Sequence, residues 1–316
     1  MLRTSLIITG LLVAINQLFF FPLSESIQTY VFIAGIILLG IPHGAADLLI
    51  SMKSANDKKS LFSYYKFFFL YLGRLGAFLL LLLFLPSVGI IIFIIFASFH
   101  FGETDLYKFD THTFKGKLMS FGYGLAIVSV IVLVHFDKAS SLLILFKSGR
   151  DNINLISYVK NYKLIILSFS LLFFFITALS YSSITRANTI FTWNFIFTFT
   201  STVIILYTLP LFLGFTFYFI LWHSATSLRN ITIYLQTDCN FSMNNFIKQI
   251  SLYSIIAIIG IMLFGMAGFM FLSHDTLIIY IILSLAVLTA PHIQVMHSMY
   301  YDIRINDRLD TINKVN

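Results

Sequence analysis

Long uncharged runs of apolar residues, separated by short polar connections, make up most of this chain. Many of the runs reach about 18–22 residues, the length at which an α-helix crosses the hydrocarbon core of a bilayer. The apolar residues do not alternate with polar ones as in a membrane β-barrel, so the pattern predicts helices. We expect an all-α, polytopic transmembrane helical bundle of about ten spans (eight to ten), near 4–21, 28–50, 62–85, 87–107, 118–136, 162–181, 189–208, 210–230, 250–272 and 276–300.

The distribution of Lys and Arg predicts the orientation of these spans. If both termini are cytoplasmic, the inner connections hold twelve Lys and Arg residues, whereas the outer ones hold four, Lys138, Lys147, Arg150 and Lys160. This favours an N-in, C-in protein. The 137–161 connection is long and carries all four outer charges. It contains an interfacial helix around Ser141–Phe146, or else a neighbouring span is misplaced.

The composition supports a multi-pass protein of the cell membrane, with residues 1–316 forming a single integral membrane domain. Apolar residues make up 59% of the chain and charged residues 10%, against roughly 25% charged in soluble domains. The net charge of +7 lies mainly in the connections and gives no reason to expect nucleic-acid binding. A single cysteine, Cys239, excludes an internal disulfide and a multi-Cys metal site. The first apolar run lacks a small-residue cleavage site, so we expect a retained span.

Four histidines lie near the ends of the second, fourth, eighth and tenth spans: His43, His100, His223 and His292. With an N-in topology, each lies about 12–16 residues into an inward-running span, or roughly 18–24 Å below its start. Similar depths let side chains of four helices converge on one metal, on the cytoplasmic side of the midplane. Imidazole suits iron, zinc, copper and nickel. We expect the other candidates His112, His135 and His274 to be solvated residues of loops or span ends.

Three carboxylates accompany these histidines. Asp47 follows His43 by four residues, and Glu103 follows His100 by three, which places each pair on one helix face. Such carboxylates can orient metal-binding imidazoles. Asp105 is a third candidate for this role. The alternative for Glu103 and Asp105 is that they end the fourth span in water.

The four histidine motifs, in chain order, resemble the Brp/Blh family of membrane β-carotene 15,15′-dioxygenases over about residues 28–300: Pro42-His43-Gly44-Ala45-Ala46-Asp47, His100-Phe101-Gly102-Glu103-Thr104-Asp105, Trp222-His223-Ser224 and Pro291-His292. The resemblance implies a membrane enzyme with one non-haem iron, Fe(2+). Such an enzyme cleaves the central double bond of β-carotene with dioxygen, and the retinal commonly serves a microbial rhodopsin.

The resemblance assigns iron to His43, His100 and His223. Many family members have a further histidine four residues after the third, where this chain has Ser227. The fourth ligand is therefore His292 or His297, and we favour His292 because its depth matches the others.

Two other functions would use similar residues. A two-iron membrane desaturase or hydroxylase is one, although the chain lacks the H-x-x-H-H clusters of that class. An ion or metal transporter could use the same histidines and carboxylates as its pathway.

Overall fold

α-Helices form nearly all the regular structure of the residues described by the computed structural model, which are 2–107, 109, 111, 113–144, 149–183, 192–238, 241–272 and 277–315. The first half contains α1 (Leu2–Phe19), α2 (Glu25–Gly35), α3 (Ile41–Gly44), α4 (Asp47–Asp57), α5 (Tyr64–Phe84), α6 (Pro86–Asp105), α7 (Phe114–Val134) and α8 (Phe136–Ile144). The second half contains α9 (Gly149–Ser182), α10 (Trp193–Thr208), α11 (Leu211–Phe215), α12 (Ala225–Gln236), α13 (Met243–Leu272) and α14 (Leu277–Val315). Two π-helical segments, π1 (Ile36–Gly40) and π2 (Thr216–Ser224), connect α2 to α3 and α11 to α12.

The predicted all-α membrane bundle is confirmed. Within the described ranges, nine helical stretches are long and apolar enough to cross a bilayer. The shorter α10 occupies the place of the remaining predicted span, which began at residue 189. The first residues of that predicted span lie outside the part of the chain that the structure describes.

The 137–161 connection is largely helical rather than an extended loop. α8 covers Phe136–Ile144, and α9 already begins at Gly149, well before the span predicted from residue 162. The expected interfacial helix around Ser141–Phe146 therefore overlaps the end of α8, while residues 145 and 146 lie outside the described part. The apolar pattern does not predict the start of α9, because the first turns of this helix are polar and resemble a connection between spans.

Helix starts follow ordinary capping chemistry. Ser63 accepts a hydrogen bond from the Lys66 N–H at the start of α5, and Thr113 accepts one from the Gly116 N–H at the start of α7. Pro86 occupies the first turn of α6, where a missing N–H costs nothing. These caps fix the boundaries of helices that deliver the site residues.

Two glycines allow α6 and α7 to pack closely beside the second histidine motif. A Cβ added to Gly102 of α6 would overlap the carbonyl oxygen of Ser120 on α7. The reciprocal contact involves Gly124 of α7 and the carbonyl oxygen of Ser98 on α6. Small residues at a crossing let membrane helices approach along their backbones. The position of α6, and so of the histidine it carries, depends on this contact.

Candidate metal centre

The structure brings together four histidines from four separate parts of the chain: His43 of α3, His100 of α6, His223 of π2 and His292 of α14. All four side chains are buried. One ring nitrogen from each of the first three lies within 4.8 Å of the others, close enough for a shared metal ion. The span pattern predicts that histidines at similar depths converge, and in the structure they do come together.

The four imidazoles form a closed ring, which we call the four-histidine cluster. Taken around it, the ring centroids are 4.9 Å apart for His43 and His292, 5.1 Å for His292 and His100, 4.7 Å for His100 and His223, and 5.5 Å for His223 and His43. Neighbouring rings meet nearly edge-on. The group of ligand nitrogens within 4.8 Å of one another comprises His43, His100 and His223, and the His292 ring lies against two of these three.

Several nitrogens of this cluster are buried without a hydrogen-bond partner. They are Nδ1 of His43, both ring nitrogens of His100 and His223, and Nε2 of His292. A buried polar group without a partner is costly, and native proteins almost always satisfy it. A metal ion bound by imidazole nitrogens would remove that cost. The donor set thus fits a metal that prefers nitrogen ligands.

Non-standard helical geometry places two of the histidines. Pro42 has no N–H and cannot continue an α-helical ladder, and the preceding π1 segment closes with Ile41 N–H bonded to the Ile36 carbonyl oxygen. His43 follows directly. His223 lies within π2, near its end. Single π-helical insertions are frequent at functional sites, because they rotate the following side chains relative to a regular helix.

A family model described as beta-carotene 15,15′-dioxygenase matches residues 34–300. The chain belongs to the β-carotene 15,15′-dioxygenase family. The match includes all four members of the four-histidine cluster. Neither the curated proteins nor the solved structures give a match to this chain.

In this member of the dioxygenase family, Asp47 holds His292 rather than His43. Asp47 Oδ1 lies 2.8 Å from His292 Nδ1, and the Tyr71 hydroxyl donates to Asp47 Oδ2 at 2.9 Å. Because a carboxylate accepts, the His292 proton is on Nδ1 and the Nε2 lone pair is free to bind a metal. The expected pairing with His43 fails because the chain turns at Ala45–Ala46, which rotates Asp47 away from the face of His43.

Glu103 pairs with the last span and not with His100. His297 Nδ1 lies 3.0 Å from both carboxylate oxygens of Glu103, and Arg304 donates to Glu103 Oε1 at 2.7 Å. The His297 ring also contacts Phe99, at 5.6 Å between centroids. The second candidate for the fourth ligand is therefore engaged in a neighbouring ion-pair group.

Asp105 organises the packing around π2. It accepts hydrogen bonds from the hydroxyls of Tyr123 and Tyr218, both at 2.9 Å, and from the Trp222 indole N–H at 3.0 Å. Arg3 of α1 bonds its carbonyl oxygen at 2.9 Å. The proposal that Glu103 and Asp105 simply end the span in water is wrong, since both are buried. Asp105 positions the residue directly before the π2 histidine instead of contacting an imidazole itself.

The other expected residues are not part of the cluster. His135 directly follows the C-terminal end of α7. Its Nε2 lies 3.4 Å from the Leu206 carbonyl oxygen, and burial lowers the pKa of the imidazole. His112, His274 and Cys239 lie outside the described residues. Ser227, at the position of a further family histidine, is buried, and its hydroxyl has no hydrogen-bond partner.

Sequence reasoning missed Tyr71 and the aromatic walls of the cluster. Tyr71 lies in a run of apolar and aromatic residues, with nothing in the sequence to separate it from the other tyrosines. Phe101 contacts His223 at 4.7 Å between centroids, and Phe219 contacts His43 at 5.9 Å. Phe101 directly follows His100, and Phe219 lies one helical turn before His223. Closeness in sequence to a histidine is therefore the signal that could have identified both rings. These rings keep the cluster apolar on two sides.

Proposed function

We propose that this protein cleaves the central double bond of β-carotene with dioxygen at a single non-haem Fe(2+), giving two molecules of retinal. The observation that carries the proposal is the closed ring of four buried imidazoles, in which six of the eight ring nitrogens have no hydrogen-bond partner. Membership of the β-carotene 15,15′-dioxygenase family supports β-carotene as the substrate and its central double bond as the site of cleavage.

The iron ligands in this proposal are His43, His100, His223 and His292. The choice of His292 over His297 is supported by its centroid distances of 4.9 and 5.1 Å to His43 and His100. Burial also separates the two candidates, because the His292 side chain is 6% exposed and its Nε2 is buried without a partner, whereas the His297 side chain is 40% exposed. His297 instead hydrogen-bonds Glu103, which also accepts from Arg304.

The protein residues bind and orient the reactants and keep water away from them. Ferrous iron held by the four imidazoles would supply the activation of dioxygen, and imidazole nitrogen is a ligand that suits iron. The two atoms of one dioxygen molecule become the two aldehyde oxygens, so cleavage of the carbon–carbon double bond requires no external reductant. Phe101 and Phe219 exclude water beside the cluster.

A single-iron centre is favoured over a two-iron oxygenase by the distribution of ligands. Among the described residues, one group of three or more close His, Cys, Asp or Glu side chains is present, and it contains histidines alone. The carboxylates that a two-iron site or an ion pathway would use are not part of that group, since Asp47 is bonded to His292 and Tyr71, and Glu103 to His297 and Arg304.

The cellular setting completes the proposal. We place the protein in the cell membrane as one integral domain, N-in and C-in, with the cluster toward the cytoplasmic half. β-Carotene and dioxygen are its substrates, the lipid bilayer is its solvent, and a microbial rhodopsin receives the retinal. No nucleic acid takes part.

Co-expression in bacteria that produce β-carotene tests the activity. We expect loss of the orange colour with the appearance of retinal, and retained colour when His43 or His100 is replaced by Ala. Persistent colour with folded, iron-loaded wild-type protein would contradict the proposal.

A further inference from the structure

A cavity of about 240 Å³ lies beside the four-histidine cluster, between α3, α5, α13 and α14. Its lining includes the buried residues His43, His100 and His292. It also includes residues of the membrane-facing surface, since Leu72 of α5 is 59% exposed and Ile256 of α13 is 55% exposed. The same cavity therefore connects the outer surface of the bundle with the imidazoles.

The surface around this opening is apolar. α5 and α13 are both apolar enough to span a membrane, and most of each span lies on the surface of the bundle. The inner walls of the cavity are mainly aliphatic and aromatic, with Leu75, Phe219 and Leu288 among them. The polar lining residues Asp47 and Tyr71 are bonded to each other. A polar ligand would lose its hydration in such a space, whereas an apolar ligand would not.

We infer that the gap between α5 and α13, which we call the lateral opening, admits an apolar polyene from the bilayer to the four-histidine cluster. Leu72 and Ile256 lie at its mouth and control access. This inference rests on the proposed function for the identity of the polyene.

The size of the cavity makes the mouth part of the binding site. Pockets that enclose drug-sized ligands measure roughly 300–1,000 Å³. A cavity of about 240 Å³ cannot enclose a carotenoid with its long polyene and two rings. Part of the bound polyene must therefore lie across the lateral opening, in contact with Leu72, Ile256 and lipid.

Tryptophan substitutions with matched controls test the lateral opening. Ile256→Trp and Leu72→Trp narrow the mouth. Ile255→Trp is the control on α13, because Ile255 is also 55% exposed but does not line the cavity. Leu80→Trp is the control on α5, where Leu80 is 54% exposed and likewise absent from the lining. Each iron-loaded protein is placed in lipid nanodiscs, and β-carotene binding is measured without dioxygen before cleavage is measured with it.

We expect both mouth variants to bind iron like the wild type. We also expect them to lose about tenfold in anaerobic β-carotene affinity and in kcat/KM, as overpacking of a contact predicts. The controls should stay within about twofold of the wild type. Mouth variants that bind β-carotene as well as their controls would overturn the inference. The proposed function fails separately, if the wild type binds β-carotene anaerobically yet forms no retinal when dioxygen is admitted.

Discussion

Asp47 Oδ1 lies 2.8 Å from His292 Nδ1, and this bond joins the second predicted span to the tenth. Tyr71 on α5 donates to the other oxygen of the same carboxylate, so three segments meet at one group. The arrangement fixes the His292 ring while its Nε2 remains free. The Pro42–Asp47 motif thus contributes both an imidazole, His43, and the carboxylate that orients a second one.

Replacing Asp47 by Asn tests this orientation. The amide is a weaker acceptor than the carboxylate, so His292 loses its fixed tautomer and ring position. We expect iron affinity and cleavage rate to fall by about 10–100-fold. Iron content by elemental analysis and retinal formation measure the two effects. Asp57→Asn serves as the control, because Asp57 pairs with Lys53 away from the cluster. Equal iron content in the two variants would count against the role of Asp47.

The fourth ligand is decided by comparing His292→Ala with His297→Ala. We expect His292→Ala to lose iron and activity, because its ring is part of the closed cluster. His297→Ala should keep its iron, because Arg304 still pairs with Glu103. The reverse result, with iron lost from the His297 variant alone, would show that His297 is the ligand.

Close packing of α6 on α7 predicts that Gly102→Ala destabilises the protein. The added methyl group would overlap the Ser120 carbonyl oxygen, and the helices must separate to accept it. We expect a loss of about 1–3 kcal/mol in the free energy of unfolding. Gly260→Ala is the matched control on a membrane-spanning helix, since its Cβ would meet nothing within 4 Å. Similar thermal unfolding of the two variants in detergent would refute this account of the crossing.

The hydrogen bonds of Asp105 predict a second effect on stability. In Asp105→Asn a single side-chain oxygen remains to accept from the two tyrosine hydroxyls and the Trp222 indole N–H. The amide NH2 at the other position faces the Arg3 guanidinium, which is itself a donor, so the charge pairing is lost. We expect a cost of about 1–3 kcal/mol in unfolding free energy. Asp137→Asn is the control, because Asp137 is exposed and its pairing with Lys160 lies at the surface. A variant at Asp105 as stable as the control would contradict the proposed packing role.

The all-α membrane fold and the meeting of the four histidines could be predicted from the sequence, because both depend on properties that are local in the chain. Apolar length predicts a membrane helix, and position within a span predicts depth, which brought His43, His100, His223 and His292 to one level. The partners of the carboxylates could not be predicted in the same way. A spacing of four residues places Asp47 and His43 on one face only if the helix between them is continuous. The turn at Ala45–Ala46 interrupts the helix, so the two side chains no longer share a face.

Contacts between distant segments explain the remaining differences. Glu103 was expected beside His100, but its partners His297 and Arg304 come from α14, and nothing in a single sequence specifies that pairing. Tyr71 and the π2 segment were missed for the same reason. Their roles depend on the packing of separate helices, not on a local residue pattern.

Product stoichiometry with purified protein tests the central claim most directly. The iron-loaded wild type, reconstituted in lipid, is supplied with β-carotene and dioxygen, and the products are separated by chromatography. The proposed ligand set and central cleavage predict one iron per chain and two retinal molecules for each β-carotene consumed. Unequal cleavage products, or unchanged β-carotene in the presence of fully iron-loaded protein, would contradict it.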